Sequence, residues 1–164
     1  MSVPALRVLI VCLGNICRSP TAEAVLRERL REAGLQGRVE VDSAGTGSWH
    51  IGMPPDARSQ RHAKLRGYDL AKLRGRQVSA VDFDRFDLVL AMDDDNLADL
   101  EQMKPPHAHA EVRLFAAQPV PDPYHGPAAG FDHVLDLIER ASEAWVPEIR
   151  TRLTKQSRCG NLVG

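Results

Sequence analysis

The sequence predicts an α/β domain of three layers: a four-stranded parallel sheet with helices on both faces. Three observations predict it. Short, continuously apolar runs rich in Val, Leu and Ile alternate with longer segments of helical period. Glycine or proline punctuates the changes from one to the other. The chain has 164 residues, 43% of them hydrophobic and 26% charged, which suits one domain with one ordinary core. No repeat or linker divides it. Residues 1–164 therefore read as a single domain, with a core over about 7–153 and a flexible tail over 154–164.

The elements follow in order. Arg7 to Cys12 (RVLIVC) is apolar after its first residue, as a strand covered on both faces requires, and Gly14-Asn15 ends it. From Ser19 to about Ala33, Ala22, Val25, Leu26 and Leu30 recur at helical spacing. Pro20 suits the first turn and Gly34 stops the helix. Val39 to Ser43 (VEVDS) is a second strand, leading into a glycine-rich loop through Gly52. After Pro54-Pro55-Asp56 a helix runs to Gly67. Asp87 to Met92 (DLVLAM) is a third strand, and Asp94 caps a helix to about Met103. Glu111 to Phe115 (EVRLF) is a fourth strand. Pro119 to Gly130 is a loop. A last helix opens near Phe131 with a stripe of Val134, Leu135, Ile138, Ala141 and Trp145, and Pro147 kinks or restarts it.

Composition narrows the function classes. Three cysteines are too few and odd in number for a disulfide-built scaffold, and they fit a reducing compartment, so the cytoplasm is expected. A formal net charge of -1 argues against the basic field of a nucleic-acid binder. No apolar run approaches the roughly 18 residues of a membrane span, and Val8 to Leu13 is too short for a signal peptide. Charge is uneven: seven basic residues and one acidic lie between Arg58 and Arg76, eight acidic and one basic between Asp82 and Glu101. Both read as solvated faces, and the basic one also as a surface for docking protein substrates. Asp93-Asp94-Asp95 reads as the acidic start of a helix rather than a metal site. His107 and His109 lack further ligands, so neither metal nor other cofactor is expected.

The chemistry lies in the loop after the first strand, at the strand's carboxyl end, where open α/β sheets bind ligands. Cys12-Leu13-Gly14-Asn15-Ile16-Cys17-Arg18-Ser19 can curl so that successive N–H groups converge, because Gly14 and Asn15 tolerate left-handed backbone. The following helix adds its positive end, which makes a nest for a tetrahedral oxyanion. Arg18 can bond two phosphate oxygens at once. The same field favours a nucleophilic thiolate at Cys12, and Ser19 can donate to its sulfur. Cys17 lies close enough in sequence for a reversible disulfide that shields Cys12 from overoxidation, whereas Cys159, in the tail, has no catalytic part. Asp122, stiffened between Pro121 and Pro123, offers a proton donor.

VCLGNICRSPTAEAV closely resembles the signature of the low-molecular-weight protein tyrosine phosphatases. VDSAGTGSWHIG resembles that family's second loop and PDPYHG its late acid loop. The three motifs stand in the family's order over about Arg7 to Leu153, and the loop variant resembles bacterial members. The resemblance implies a flavodoxin-like fold and hydrolysis of phosphotyrosine and small aryl phosphates through a cysteinyl-phosphate. It implies Asp122 as general acid, and Ile16, Trp49 and Tyr124 as pocket walls. His125 stands at the rim where many members carry a second Tyr. It implies that Asn15 bonds Ser43 to hold the loop. A His usually joins that network, and Leu73 stands in its place.

The implied partners are phosphotyrosine proteins, a bacterial tyrosine kinase among them, with inorganic phosphate and similar oxyanions as inhibitors. Neither nucleic acid nor membrane is implied. Two other chemistries share the scaffold. Thiol-dependent arsenate reductases need a later pair of cysteines that this chain lacks. Protein-arginine phosphatases usually carry a small Thr where Ile16 stands, so Ile16 favours tyrosine.

Overall fold

Four strands, β1 (Leu6–Cys12), β2 (Val39–Gly45), β3 (Leu88–Ala91) and β4 (Glu111–Leu114), form one parallel sheet in the order β2-β1-β3-β4. The computed structural model describes the backbone of residues 4–162 and side chains through residue 156. The expected fold class holds, and each strand lies within two residues of its predicted bounds.

Alternation along β1 sorts the core into two halves. Val8, Ile10 and Cys12 pack with α1 (Arg18–Glu32) and α5 (Ala129–Leu162) on one face. Leu9 and Val11 pack on the other with Phe83 of α3 (Asp82–Arg85) and Leu100 of α4 (Asp94–Met103). Both faces are dry, which is why this strand is apolar throughout rather than alternating. α2 (Ala57–Leu65) packs on α5. Because β1 sits between β2 and β3, the order in which strands are added reverses there, and a crevice opens at its carboxyl end. Cys12 is the last residue of β1, beside Gly45 of β2.

The helix ends are set by local chemistry. Gly34 and Gly67, at φ 75° and 93°, take the left-handed turn that closes α1 and α2. Asp56 caps α2 by accepting from the Arg58 N–H at 2.8 Å. The cap of α4 is Asp93, not Asp94 as the sequence suggested: its carboxylate accepts from the Asn96 N–H at 2.8 Å.

Other expectations need correction. α5 continues through Pro147 without a break, to Leu162, beyond the expected end near Leu153. The missing N–H costs one hydrogen bond, but buried Trp145, Ile149 and Leu153 hold both sides of the proline to the core. The side chain of Cys159 lies outside the described residues. α3 escaped notice because four residues are too few to display a period, although Phe83 within it is fully buried. The acidic stretch is not simply a solvated face, for Asp82 is buried and bonded to Arg76 at 3.1 Å. In the basic stretch, Arg66 and Arg76 are committed to internal ion pairs with Glu139, Asp136, Asp42 and Asp82.

Burial acts to raise the Asp56 carboxyl, but bonds from the Arg58 side chain and N–H hold it below its ordinary value. A depressed carboxylate stabilises the fold above its unfolded pKa, and that contribution is lost as pH falls through the folded one. Asp56→Ala should cost about 1 kcal/mol at neutral pH, about 3 °C in Tm. The difference from the parent should close in acid, as thermal melts across pH will show.

Candidate active site

The chain turns directly from β1 into α1, and the turn is tied from outside. The Thr46 N–H donates to the Cys12 carbonyl (2.9 Å), Gly47 to Leu13 (2.9 Å) and Asp56 to Ile16 (2.8 Å). With those carbonyls held outward, the N–H groups of Leu13, Gly14, Ile16 and Cys17 find no protein acceptor among the described residues. Asn15 is the one described non-glycine residue with positive φ, at 57°. Its N–H lies 3.2 Å from the Cys12 Sγ. Its Nδ2 donates to Ser19 Oγ (2.8 Å) and Ser43 Oγ (3.0 Å), and its Oδ1 accepts from the Arg76 N–H (3.0 Å). These bonds hold a backbone conformation that is otherwise costly. Ser19 Oγ stands 3.0 Å from the Cys12 sulfur.

Arg18 opens α1 with its side chain only 3% exposed. Nη1 donates to Asp93 Oδ2 (2.6 Å) and the Val120 carbonyl (3.0 Å), and Nη2 faces Asp122 Oδ2 at 3.6 Å. Burial alone would lower its pKa, but Cys12, Asp93 and Asp122 more than offset that, so the guanidinium stays charged. Asp122 is more exposed than Arg18, at the cavity mouth, and accepts from the Tyr124 N–H at 3.1 Å. Cys17 is buried with Ile16 and Phe131. Burial pushes its thiol up to about 12, against a hydrogen bond to Ser59.

Cys12, Arg18 and Asp122 line one cavity of about 250 Å³, with Ile16, Trp49, Tyr124 and His125 around it. Trp49 is 69% exposed and leans on Gly47: a Cβ at that glycine would come within 1.8 Å of the Trp49 ring. Tyr124 meets the His125 ring edge-on at 4.8 Å, and Arg58 donates to its carbonyl at 3.0 Å.

The structure thus brings the predicted site residues together and adds three that sequence reasoning missed. Asp93 orients Arg18; it was read only as a helix-start acid. His50 lines the cavity and covers Gly14. Glu23 is buried on α1 and accepts from Ser43 at 2.6 Å. Its place four residues before Arg27 on an otherwise apolar stretch was the available signal. The network around Asn15 is complete without a His. Leu73 instead packs against the core, and the third bond comes from the Arg76 main chain. Among the described residues no group of three or more His, Cys, Asp or Glu could hold a metal. His109 bonds Asp87 at 3.3 Å.

A thiol and a charged guanidinium buried on one aryl-sized cavity can bind a phosphate monoester and attack it with sulfur, which is the equipment of a cysteine-dependent phosphatase. Comparison with known proteins makes the class particular. The family model for low molecular weight phosphotyrosine protein phosphatase matches residues 7–158, and the chain belongs to that family. A Schizosaccharomyces pombe low molecular weight phosphotyrosine protein phosphatase is 44% identical over 143 residues, 82% of this chain and 91% of its own. The crystal structure of an Entamoeba histolytica protein tyrosine phosphatase, with Hepes in its active site, superposes with a TM-score of 0.85. It is 37% identical and covers 89% of this chain and 97% of its own. Vibrio vulnificus Wzb in complex with benzylphosphonate superposes at 0.78, with 32% identity over 88% and 99% of the two chains.

Gly47→Ala should push the exposed Trp49 ring aside. Stability should change by less than about 0.5 kcal/mol, while kcat/KM for an aryl phosphate falls several-fold through KM. An unchanged KM would remove Trp49 from the pocket wall.

Proposed function

We propose that this protein hydrolyses phosphotyrosine in two steps, with Cys12 as nucleophile, Arg18 as phosphate clamp and Asp122 as general acid and then base. The observation that carries the reading is the single cavity lined by all three, with Ser19 Oγ 3.0 Å from the sulfur. The free N–H groups of the loop and the Arg18 fork bind the equatorial oxygens, and they bind best when negative charge develops there. The Cys12 thiolate attacks phosphorus in line. Asp122 protonates the departing phenolate. Water, deprotonated by Asp122, then attacks the cysteinyl-phosphate, and the sulfur leaves as a thiolate that Ser19 stabilises by donation.

Ile16, Trp49, Tyr124 and His125 form the slot for the ring, where flat apolar faces favour an aryl over an aliphatic ester. The benzylphosphonate bound to Vibrio vulnificus Wzb, an aryl-bearing phosphonate, supports that preference. The substrates we assign are phosphotyrosine proteins, a bacterial tyrosine kinase among them, with inorganic phosphate as a competing anion. No helix among the described residues is long and apolar enough to cross a membrane. The low cysteine content supports work in the cytoplasm.

Cys12→Ser keeps the loop but replaces thiolate by a poor nucleophile. Turnover of phosphotyrosine peptide should vanish while phosphate still binds, and the parent should leave phosphoarginine peptide intact in a parallel assay. Retained turnover in the variant would sink the assignment.

Cys17 we assign to redox protection. Peroxide oxidises the Cys12 thiolate to a sulfenic acid. The Cys17 sulfur attacks that sulfur, its thiol proton passes to the departing hydroxide, and water leaves as the disulfide forms. With its thiol held up to about 12, Cys17 stays protonated and Cys12 is oxidised first. After mild peroxide, mass spectrometry should find a Cys12–Cys17 bond, and reductant should restore activity. Cys17→Ser should lose that recovery.

A further inference from the structure

The hydrogen bonds that reach the Cys12 sulfur do not end at Ser43. Ser43 Oγ donates to Glu23 Oε1 at 2.6 Å, and Glu23 is only 2% exposed. On the other side of that carboxylate, Arg27 Nη2 lies 2.6 Å from Oε2, one helical turn along α1. The same nitrogen donates to the Val41 carbonyl of β2 at 2.6 Å. A chain of hydrogen bonds therefore runs from Cys12 through Ser19, Asn15 and Ser43 to Glu23, and an ion pair joins Glu23 to Arg27. Arg27 itself is half exposed, on the rim of a groove of about 530 Å³ that Leu73 also lines.

We infer that Arg27 is a positioning residue for the nucleophile: it holds the buried Glu23 carboxylate, whose charge sets the direction of every hydrogen bond between itself and the sulfur. The inference rests on the reading of Cys12 given above.

The direction follows from counting protons. A carboxylate only accepts, so Ser43 must donate to it. Ser43 then offers a lone pair to Asn15, whose Oδ1 is already taken by the Arg76 N–H, so Nδ2 faces both serines. Ser19 accepts one Nδ2 hydrogen and turns its own proton to the sulfur, the nearer of its two acceptors at 3.0 Å against 3.4 Å for the Ala44 carbonyl. Remove the charge on Glu23 and it can donate to Ser43 instead, which frees the chain to reorient.

That charge needs a counter-ion. Glu23 faces Arg27 on its own helix, Asp42 on β2 and Arg76 beyond α2. Arg76 is committed to Asp42 and Asp82. Leu73 supplies only hydrocarbon to the core. Burial pushes the Glu23 carboxyl up, against the Ser43 bond and Arg27. Among the described residues Arg27 is the one cation in ion-pair contact with it.

The chain ends on a sulfur that must leave phosphorus in the second step. Its disorder should therefore slow phosphoenzyme hydrolysis rather than weaken substrate binding. Arg27→Met should lower kcat about threefold to tenfold, the worth of one ordinary hydrogen bond, here that of Ser19 to the departing sulfur. KM should change less than twofold, and acid quenching should trap more cysteinyl-phosphate than in the parent. Arg27→Lys should recover most of the rate. Glu23→Gln should show the same kcat loss, and Arg27→Met should add nothing to it.

A merely structural role would instead lower Tm and raise KM, or give losses that multiply in the double variant, and either result overturns the inference. Glu23→Gln keeps the side chain's shape and serves alone if Arg27→Met does not fold: an unchanged kcat in it also overturns the inference. If Cys12→Ser abolishes turnover while these variants behave as the parent, only the positioning role fails. If Cys12→Ser stays active, the nucleophile itself is misassigned.

Discussion

The left-handed backbone at Asn15 is the constraint on which the site depends. Only that turn lets the chain leave β1 at Cys12, curl through five residues and enter α1 at Arg18. An isolated Asn at φ 57° costs on the order of 1–3 kcal/mol. Here the same side chain makes bonds to Ser19, Ser43 and the Arg76 main chain. Each is worth about 1 kcal/mol, so together they match the strain. The conformation that aims the loop amides inward is thus held by a side chain that also reaches Ser19, the residue bonded to the Cys12 sulfur.

Arg18 extends the same logic to the rest of the cavity. Its guanidinium touches Asp93 at the start of α4, the Val120 carbonyl and Asp122 in the acid loop. One buried cation therefore ties two separate segments, the start of α4 and the loop of Val120 and Asp122, to the turn that follows β1. Groups held in place before the substrate arrives need little rearrangement as charge develops, which is where such electrostatic sites gain their effect. The aromatic slot is built differently. Trp49 and Tyr124 are exposed and rest on a glycine and on loop contacts, so the mouth of the cavity is held by fewer bonds than its floor.

Much of this was legible in the sequence, for identifiable reasons. The strands were readable because burial on both faces makes RVLIVC and DLVLAM continuously apolar. The loop was readable because Cys12, Asn15, Arg18 and Ser19 lie within eight residues, so local geometry brings them together. Asp93 was not readable in its bond to Arg18, and Glu23 only as an acid spaced for Arg27. Their partners, Arg18 and Ser43, lie 75 and 20 residues away, and an acid at the start of a helix or on its surface has a cheaper explanation as a cap or a solvated charge. Pro147 misled because propensity predicts a break, while the core contacts of Trp145 and Ile149 outweigh one lost bond.

By itself the sequence determined the strand and helix order, the parallel sheet and the grouping of Cys12, Asn15, Arg18 and Ser19 in one turn, since each is written in hydrophobic period or short spacing. Only the tertiary structure decided what holds that loop in its working state. Leu73 for His looked like a gap in the network. Folding fills it with the Arg76 main chain on one side of Asn15 and with Glu23 and Arg27 beyond Ser43. Such compensation depends on which backbone amide and which buried charge arrive within 3 Å, and no local pattern encodes that distance.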